Sequence, residues 1–401
     1  MKRIVIVAAR RTPFGRFRGA LADFSPVQLA VIAGDAALTG IDRTLIDQVI
    51  LGNVLSAGHG MNIARQVAVS LGLRLETAAT TVNMMCGSGM QSSLMAVSAI
   101  RAGEAKVILA GGTESMSQSA LLMARPPKGQ QPDPANAIDS MQRDGLVDSF
   151  SHRHMGEQAE ELAGNYKITR LQQDIFAARS QYLFGAAQEL GEFSDELVSV
   201  ASLATDQHPR PMISQVELGI LPTAFPASNG SATVTAGNAS GINDGAAMLL
   251  LAEREFAVSN GWPMLAEWVD GVVVGCDPNR MGLGPVHAIR SLMARCGIDW
   301  TCIDTLEINE AFAAQVLACL KELHLSLPDE RSQSVVATSG HPIGFNRAGG
   351  AIAIGHPLAA SGARLLTHLT WDISRGRSRA AIGSLCIGGG MGIAALMRAM
   401  E

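Results

Sequence analysis

Two patterns of hydrophobic positions alternate along the chain. The first is a short, nearly continuous apolar run: "RIVIVAA", "IDQVILGNVL", "TAATTVNMM" and "AKVILAGGTESM". Such runs, bounded by turn residues, predict buried strands. The second is an apolar stripe at helical spacing: "SPVQLAVIAGDAAL", with Ser25 as a cap, "NIARQVAVSLGL", closed by Gly72, and "GMQSSLMAVSAIRAGE", closed by Gly103. From about Ser117 to Ser231 the pattern breaks. "ARPPKGQQPDPANAIDS" and "QHPRPMISQVELGILPTAFPASNGS" have loop composition, and the stretch between them predicts a pair of exposed helices with polar faces. The alternation resumes with "GINDGAAMLLLAEREFA" and "MLAEWVDGVVVGC". A second series follows: helix "GPVHAIRSLMARCGI", strand "IDTLEIN", helix "AFAAQVLACLKEL", a strand at Ala351–Ile354 turning into a helix, and two strands around the glycines of "RAAIGSLCIGGGMGIAALMRA".

Buried strands and helices in this order predict an α/β fold in which helices cover both sheet faces. The two series match in order, and a strand leading into a cysteine and a glycine turn recurs in each as its counterpart, which predicts two duplicated α/β halves, each a mixed sheet covered by helices, with an inserted loop domain. The expected boundaries are 1–117 with 232–262 for the N-terminal half, 118–231 for the insertion and 263–401 for the C-terminal half.

Composition narrows the function classes. At 401 residues the chain exceeds one ordinary core, and 47% hydrophobic against 17% charged residues favours a large buried body. A net charge of -5 gives no reason to expect nucleic acid or an anionic membrane as partner. The 26 arginines against 5 lysines are read as compositional bias. No apolar run approaches the ~20 residues of a membrane-spanning helix, and "MKRIVIVAARRTPFG" reads as a first strand rather than a secretory leader. Six cysteines without dense spacing or a CxxC make neither a disulfide scaffold nor a metal cluster, so free thiols in a cytoplasmic setting are expected.

Four short stretches carry candidate chemistry. In "VNMMCGSGMQ", Cys86 stands at a strand-to-helix turn, where the helix N-terminus favours a thiolate; a free cysteine is also a common buried hydrophobe. In "GGAIAIGHPLAASGAR", His356 is held between Gly355 and Pro357, as a catalytic base needs, or as a structural loop histidine. His341 sits in a similar string, "SGHPIGFNRAGG", but ahead of the predicted strand rather than after it, so His356 is preferred. In "SLCIGGGMG", Cys386 precedes glycines whose bare N–H groups suit an oxyanion, or a hairpin with a packed cysteine. In "INEAFAAQ", Asn309 lies at a strand end, facing a crevice or capping the next helix.

Together, in this order, these blocks resemble the thiolase family, with "TAGNASGINDGAAM" and the opening "IVIVAARRTPFGRFRGAL" adding to the likeness over nearly the whole chain. The resemblance is strongest to acetyl-CoA acetyltransferases. It implies an acyltransferase that cleaves 3-ketoacyl-CoA with CoA, or condenses two acetyl-CoA, through a cysteine acyl-enzyme. Cys86 would be the nucleophile, His356 its activating base and Cys386 the acid/base at the α-carbon. The N–H groups of Cys86 and Gly388 would form one oxyanion hole, and His356 with a water held by Asn309 the other.

The coenzyme A contacts implied are His154, Met155, Arg210, Phe225, Ala236, Ser240, Ala311 and Phe312. No permanently bound cofactor and no metal are expected. The implied partners are acyl-CoA and CoA, with a homodimer or homotetramer as the assembly. The chain departs from the family pattern at Ala359, where glycine is usual, at His287, where proline is common, at Glu217, where relatives often carry a ligand-contacting serine, and in a longer loop after Phe225. A longer-chain 3-ketoacyl-CoA thiolase is the alternative within the class. A non-catalytic acyl-CoA-binding protein on the same fold is a second, disfavoured by the presence of all three reactive residues. A decarboxylating ketosynthase is disfavoured by Cys386.

Overall fold

The computed structural model describes residues 2–227 and 230–401. The first half supplies β1 (Ile4–Arg11), β2 (Gly15–Arg16), α1 (Pro26–Ala37), β3 (Gln48–Gly52), α2 (Ile63–Ser70), β4 (Ala78–Val82), α3 (Ser88–Ala102) and β5 (Val107–Ser115). The insertion adds a small hairpin, β6 (Leu121–Leu122) and β7 (Ile138–Asp139), a π-helical turn at Met141–Leu146, α4 (Met155–Asn165), α5 (Arg170–Glu189) and α6 (Gln215–Gly219). The chain returns through β8 (Asn243–Glu253) and α7 (Arg254–Ser259). The second half is β9 (Ala266–Gly275), α8 (Gly284–Cys296), β10 (Thr305–Ile308), α9 (Ala313–Glu322), β11 (Ser334–Val336), β12 (Pro342–Phe345), α10 (Ala351–Ile354), α11 (Leu358–Ser374), β13 (Ala380–Ile387) and β14 (Met391–Arg398). Local chemistry sets the helix ends. Ser25 and Gln28 form a reciprocal capping box at α1, and Gly72 (φ 68°) and Gly103 (φ 83°) turn the chain left-handed after α2 and α3.

The strands run in the order β11-β12-β10-β13-β14-β9-β1-β8-β5-β3-β4. The duplication is explicit in that order. In the first half β4, β3 and β5 are parallel, and β8 and β1 follow antiparallel. In the second half β12, β10 and β13 are parallel, and β14 and β9 follow antiparallel. The halves meet where β1 pairs antiparallel with β9 over Ile4–Ile6.

The core follows the same plan. α1 and α2 cover the first half from outside, while α8 and α9 cover the second. α3 and α11 pack against each other in a shared inner layer, where Met90, Val97, Ala363 and Leu366 join strand residues from both halves. Small residues permit this closeness. A Cβ on Gly112 would lie 1.9 Å from the Ala359 carbonyl oxygen, and one on Gly89 would lie 2.4 Å from it. The start of α11 is thus seated on β5 and α3, which brings the N-terminal turns of both inner helices together. Ala359 itself lies in the first turn of α11, with none of the left-handed backbone that would demand glycine.

Three expectations are corrected. Ala351–Ile354 is one helical turn, not a strand; the N–H groups of Ala353 and Ile354 bond back to Gly350, and Gly349 and Gly355 (φ 71° and 107°) bracket it. A four-residue apolar run cannot distinguish the two by periodicity. The insertion's helices are not exposed. On α5, Gln173, Asp174, Arg179, Ser180 and Gln181 are buried, because the core supplies their partners: Ser180 donates to Glu310 (2.6 Å) and Asn238 donates to Asp174 (2.9 Å). Finally, the two glycine-flanked cysteines are not counterparts. The turn between β4 and α3, with Cys86, corresponds to the segment between β12 and α11, with His356. Cys386 occupies on β13 the place of Glu114 on β5: Gly112 pairs with Gly52 and Ser384 with Ile308, and each residue lies two further on.

Candidate active site

Cys86 ends a turn in which Met85 is left-handed (φ 48°) and Ser88 is tied to it, its hydroxyl donating to the Met85 carbonyl (2.7 Å) and accepting from Met84 N–H (2.8 Å). The thiol is 4% exposed. Burial pushes it up to about 11, against the pull of the N–H groups of Gly388 and of Cys86 itself, while Glu114 raises it further. The expectation of a thiolate at the helix N-terminus therefore fails for the resting site: desolvation outweighs the helix end. Cys386, 2% exposed, sits at the end of β13. Burial, and then the neighbouring Cys86 sulfur, holds its thiol well above the ordinary range.

The segment after α10 fixes His356. Its N–H donates to Asn243 Oδ1 (3.0 Å), and Gly355 lies so close to that amide that a Cβ would fall 2.4 Å from its Cγ. The Ser361 hydroxyl donates to the Pro357 carbonyl (2.9 Å), so its oxygen accepts from His356 Nδ1 at 2.5 Å. The proton therefore resides on Nδ1. Nε2 is buried and has no partner among the described residues. Burial, and then Arg364, lowers the imidazole to about 4, so near neutral pH it is uncharged with a free lone pair on Nε2.

Cys86, His356, Cys386 and Gly388 line one cavity of about 520 Å³. The glycine turn after Cys386 is closely packed: a Cβ on Gly388 would lie 2.3 Å from Met155 Cε, and Gly389 and Gly390 are left-handed (φ 84° and 83°). Asn309, 1% exposed, is not among the residues that line the cavity, though Ala311 and Phe312 just after it are. It does not cap α9, whose N-cap is Phe312, and neither side-chain polar atom has a partner among the described residues.

The expected coenzyme A contacts all line this same cavity: His154, Met155, Arg210, Phe225, Ala236, Ser240, Ala311 and Phe312. His154 stacks on Phe225 (centroids 4.6 Å apart), and Phe225 meets Phe312 edge-on (6.3 Å). Gly156 makes room for that ring, since a Cβ there would lie 2.2 Å from Phe225 Cε2. His287 is exposed on α8 away from the cavity, and His341 lies on the β11–β12 turn, also outside it. Glu217 folds back as the capping residue of α6, its carboxylate accepting from Ser214 N–H (2.8 Å) and hydroxyl (2.7 Å). The longer segment after Phe225 includes Ser228 and Asn229, which lie outside the described residues.

Sequence reasoning missed the supports. Ser361 was visible in the His356 block as a small polar residue five positions on. Asn243, 113 residues from His356, gave no local signal. Glu114 accepts from the N–H groups of Val54 (3.1 Å), Leu55 (3.0 Å) and Ala359 (3.1 Å), clipping β3, β5 and α11 together, and burial pushes its carboxyl up to about 7.

Comparison with known proteins agrees with this arrangement. Residues 4–255 match the thiolase N-terminal domain and residues 262–399 the thiolase C-terminal domain. The chain is 42% identical to an acetyl-CoA acetyltransferase of Pseudomonas aeruginosa, covering 98% of each chain. It is 40% identical to that of Allochromatium vinosum, covering 99% of each. Its fold matches the crystal structure of human mitochondrial 3-ketoacyl-CoA thiolase in complex with CoA, with a TM-score of 0.90 at 38% identity, over 100% of this chain and 98% of that one. On sequence, fold and site together, the chain belongs to the thiolase family.

Proposed function

We propose that this protein is an acetyl-CoA C-acetyltransferase, which cleaves 3-ketoacyl-CoA with CoA and, in reverse, condenses two acetyl-CoA to acetoacetyl-CoA. The observation that carries the reading is the convergence of two thiols and an imidazole with a free Nε2 on one cavity.

In thiolysis, His356 Nε2 takes the Cys86 proton, and the sulfur attacks the 3-keto carbon. The N–H groups of Cys86 and Gly388 receive the oxygen charge of one tetrahedral intermediate. The C2–C3 bond breaks, the acyl group stays on Cys86, and the departing acetyl-CoA enolate takes the Cys386 proton. His356, with a water held by the unpartnered amide of Asn309, faces that enolate oxygen. The Cys386 thiolate then removes the proton of an incoming CoA thiol. That sulfur attacks the acyl-Cys86 thioester, acyl-CoA leaves, and His356 returns the proton to Cys86. Two sulfurs are required because one is occupied by the acyl group while the other moves protons. His154, Phe225 and Phe312 flank the pantetheine arm with Met155, Ala236, Ser240 and Ala311, and Arg210 faces the nucleotide.

The His154–Met155 pair tilts the substrate toward short acyl chains. A longer-chain thiolase is the second reading, favoured by the flexible apolar wall of Met116, Leu146 and Leu358 beside Cys86. Steady-state rates on acetoacetyl-CoA against a longer 3-ketoacyl-CoA decide between them; a clear preference for the longer chain defeats the short-chain reading. We place the enzyme in cytoplasmic acyl-CoA and fatty acid metabolism as a homodimer or homotetramer. The open edge of β4 and the exposed Val69 and Leu75 support self-association, and a solution mass equal to one chain would refute it. No described helix is long and apolar enough to cross a membrane.

A further inference from the structure

The cavity that ends inward at Cys86 and Cys386 also touches two exposed arginines, Arg16 on β2 and Arg210 in the insertion. They are distant in sequence but fixed to each other. Gln207 Oε1 accepts from the N–H groups of Arg16 and Ala20 (both 3.1 Å), which staples the β2 segment to the stretch carrying His208 and Arg210. The Gln207 N–H donates to the Phe14 carbonyl (2.9 Å), and the Arg210 N–H donates to Gln181 Oε1 (2.6 Å). Between the arginines, the His208 ring lies on the backbone of Gly241, where a Cβ would fall 2.3 Å from its Cε1.

Elsewhere in the described residues arginines pair with carboxylates, as Arg11, Arg170, Arg347 and Arg375 do. Arg16 and Arg210 have no side-chain hydrogen bond or ion pair among the described residues, and the nearby carboxylate, Asp206, is taken up by both terminal nitrogens of Arg11 (2.7 and 2.8 Å). Both arginines lie near enough to His208 to depress its ionisation, after burial. Two unpaired cations at the outer end of a cavity, on a chain of net charge -5, are an anion site waiting at the far end of a long ligand.

We propose that Arg16 is the second prong of a clamp, with Arg210, for the phosphates of coenzyme A. The inference rests on the coenzyme A reading above. The ligand's thiol end must reach the two sulfurs inside, so its only multiply charged part is left at the mouth. There a guanidinium from β2 and one from the insertion close on it from two sides.

The test is calorimetric binding at low ionic strength, with CoA, 3′-dephospho-CoA and pantetheine as ligands. Arg16→Gln weakens CoA about fivefold relative to pantetheine and flattens the salt dependence of CoA binding. Arg18→Gln, on the exposed neighbour packed over Phe17 and absent from the cavity wall, does neither. A loss that persists with 3′-dephospho-CoA assigns the contact to the diphosphate, and one that vanishes assigns it to the 3′-phosphate. Native CoA affinity and salt slope in Arg16→Gln, or an equal loss in Arg18→Gln, overturns the clamp. Because binding is read directly, an absence of thiolysis in the native enzyme would count against the proposed activity and not against the clamp.

Discussion

Ser361 should control the rate without touching substrate. Its hydroxyl is 1% exposed, donates to Pro357 and accepts from His356 Nδ1, so it holds the imidazole in the tautomer whose Nε2 can accept the Cys86 proton. In Ser361→Ala the Nδ1–H group is left buried without a partner, at a cost of about 2 kcal/mol. The ring relieves that cost by moving its proton to Nε2, on the cavity that it shares with the Cys86 sulfur as acceptor, and in that form it can no longer act as base. A shift of that size lowers the active fraction by about 30-fold. Single-turnover acylation of Cys86 by acetoacetyl-CoA should slow by that order, while the affinity for CoA stays native. Nitrogen NMR of the His356 ring should show the change from the Nδ1–H to the Nε2–H form, a readout that a merely structural serine would not move. Acylation within twofold of native, with the Nδ1–H tautomer retained, would refute the argument.

Other consequences follow from packing and burial. Gly112→Ala should destabilise the protein by about 3 kcal/mol or more in denaturant unfolding, because its Cβ would lie 1.9 Å from a backbone oxygen at the start of α11; native stability would mean the inner layer is looser than described. With Cys86 raised to about 11 and His356 lowered to about 4, the resting pair is a neutral thiol and a neutral imidazole. Ultraviolet thiolate absorbance should therefore be absent near neutral pH, and a neutral-pH signal removed by Cys86→Ser would contradict the pair. The lowered His356 value also has a stability sign. The unfolded chain binds this proton more readily between the ordinary histidine value and about 4, so the contribution of a neutral His356 is present above that window and lost as pH falls through it. His356→Asn should lessen acid destabilisation there, and an unchanged acid profile would oppose this reading.

Much of the fold was legible because it is carried by local pattern. Apolar runs and helical stripes mark the core elements, and Ser25, Gly72 and Gly103 act at helix ends as their chemistry predicts. What failed depended on distant partners. The α5 helix reads as exposed because its buried face is polar, and only the folded chain shows Asn238, Glu310 and Ile352 meeting that face. Ala351–Ile354 reads as a strand because its shape is decided by the flanking glycines and by Glu310, which accepts the Ile352 N–H (3.2 Å). The likeness of the two cysteine motifs suggests counterparts, yet sheet order aligns Cys86 with His356. The reactive residues themselves stand in short glycine-rich strings that sequence displays. Their supports lie far off in sequence and leave no local trace: Asn243 accepts from the His356 N–H, and Glu114 accepts from the Ala359 N–H at the start of α11.

The central claim is the division of labour between the two sulfurs, and intact-protein mass after mixing with acetyl-CoA, whose thiolate leaves Cys86 without help from an acid, tests it most directly. Cys386→Ser should gain one acetyl group while losing exchange of the α-protons of acetyl-CoA with solvent. Cys86→Ser should gain none. Equal acylation of the two variants, or an acetyl group on Cys386 in the native enzyme, would contradict the account.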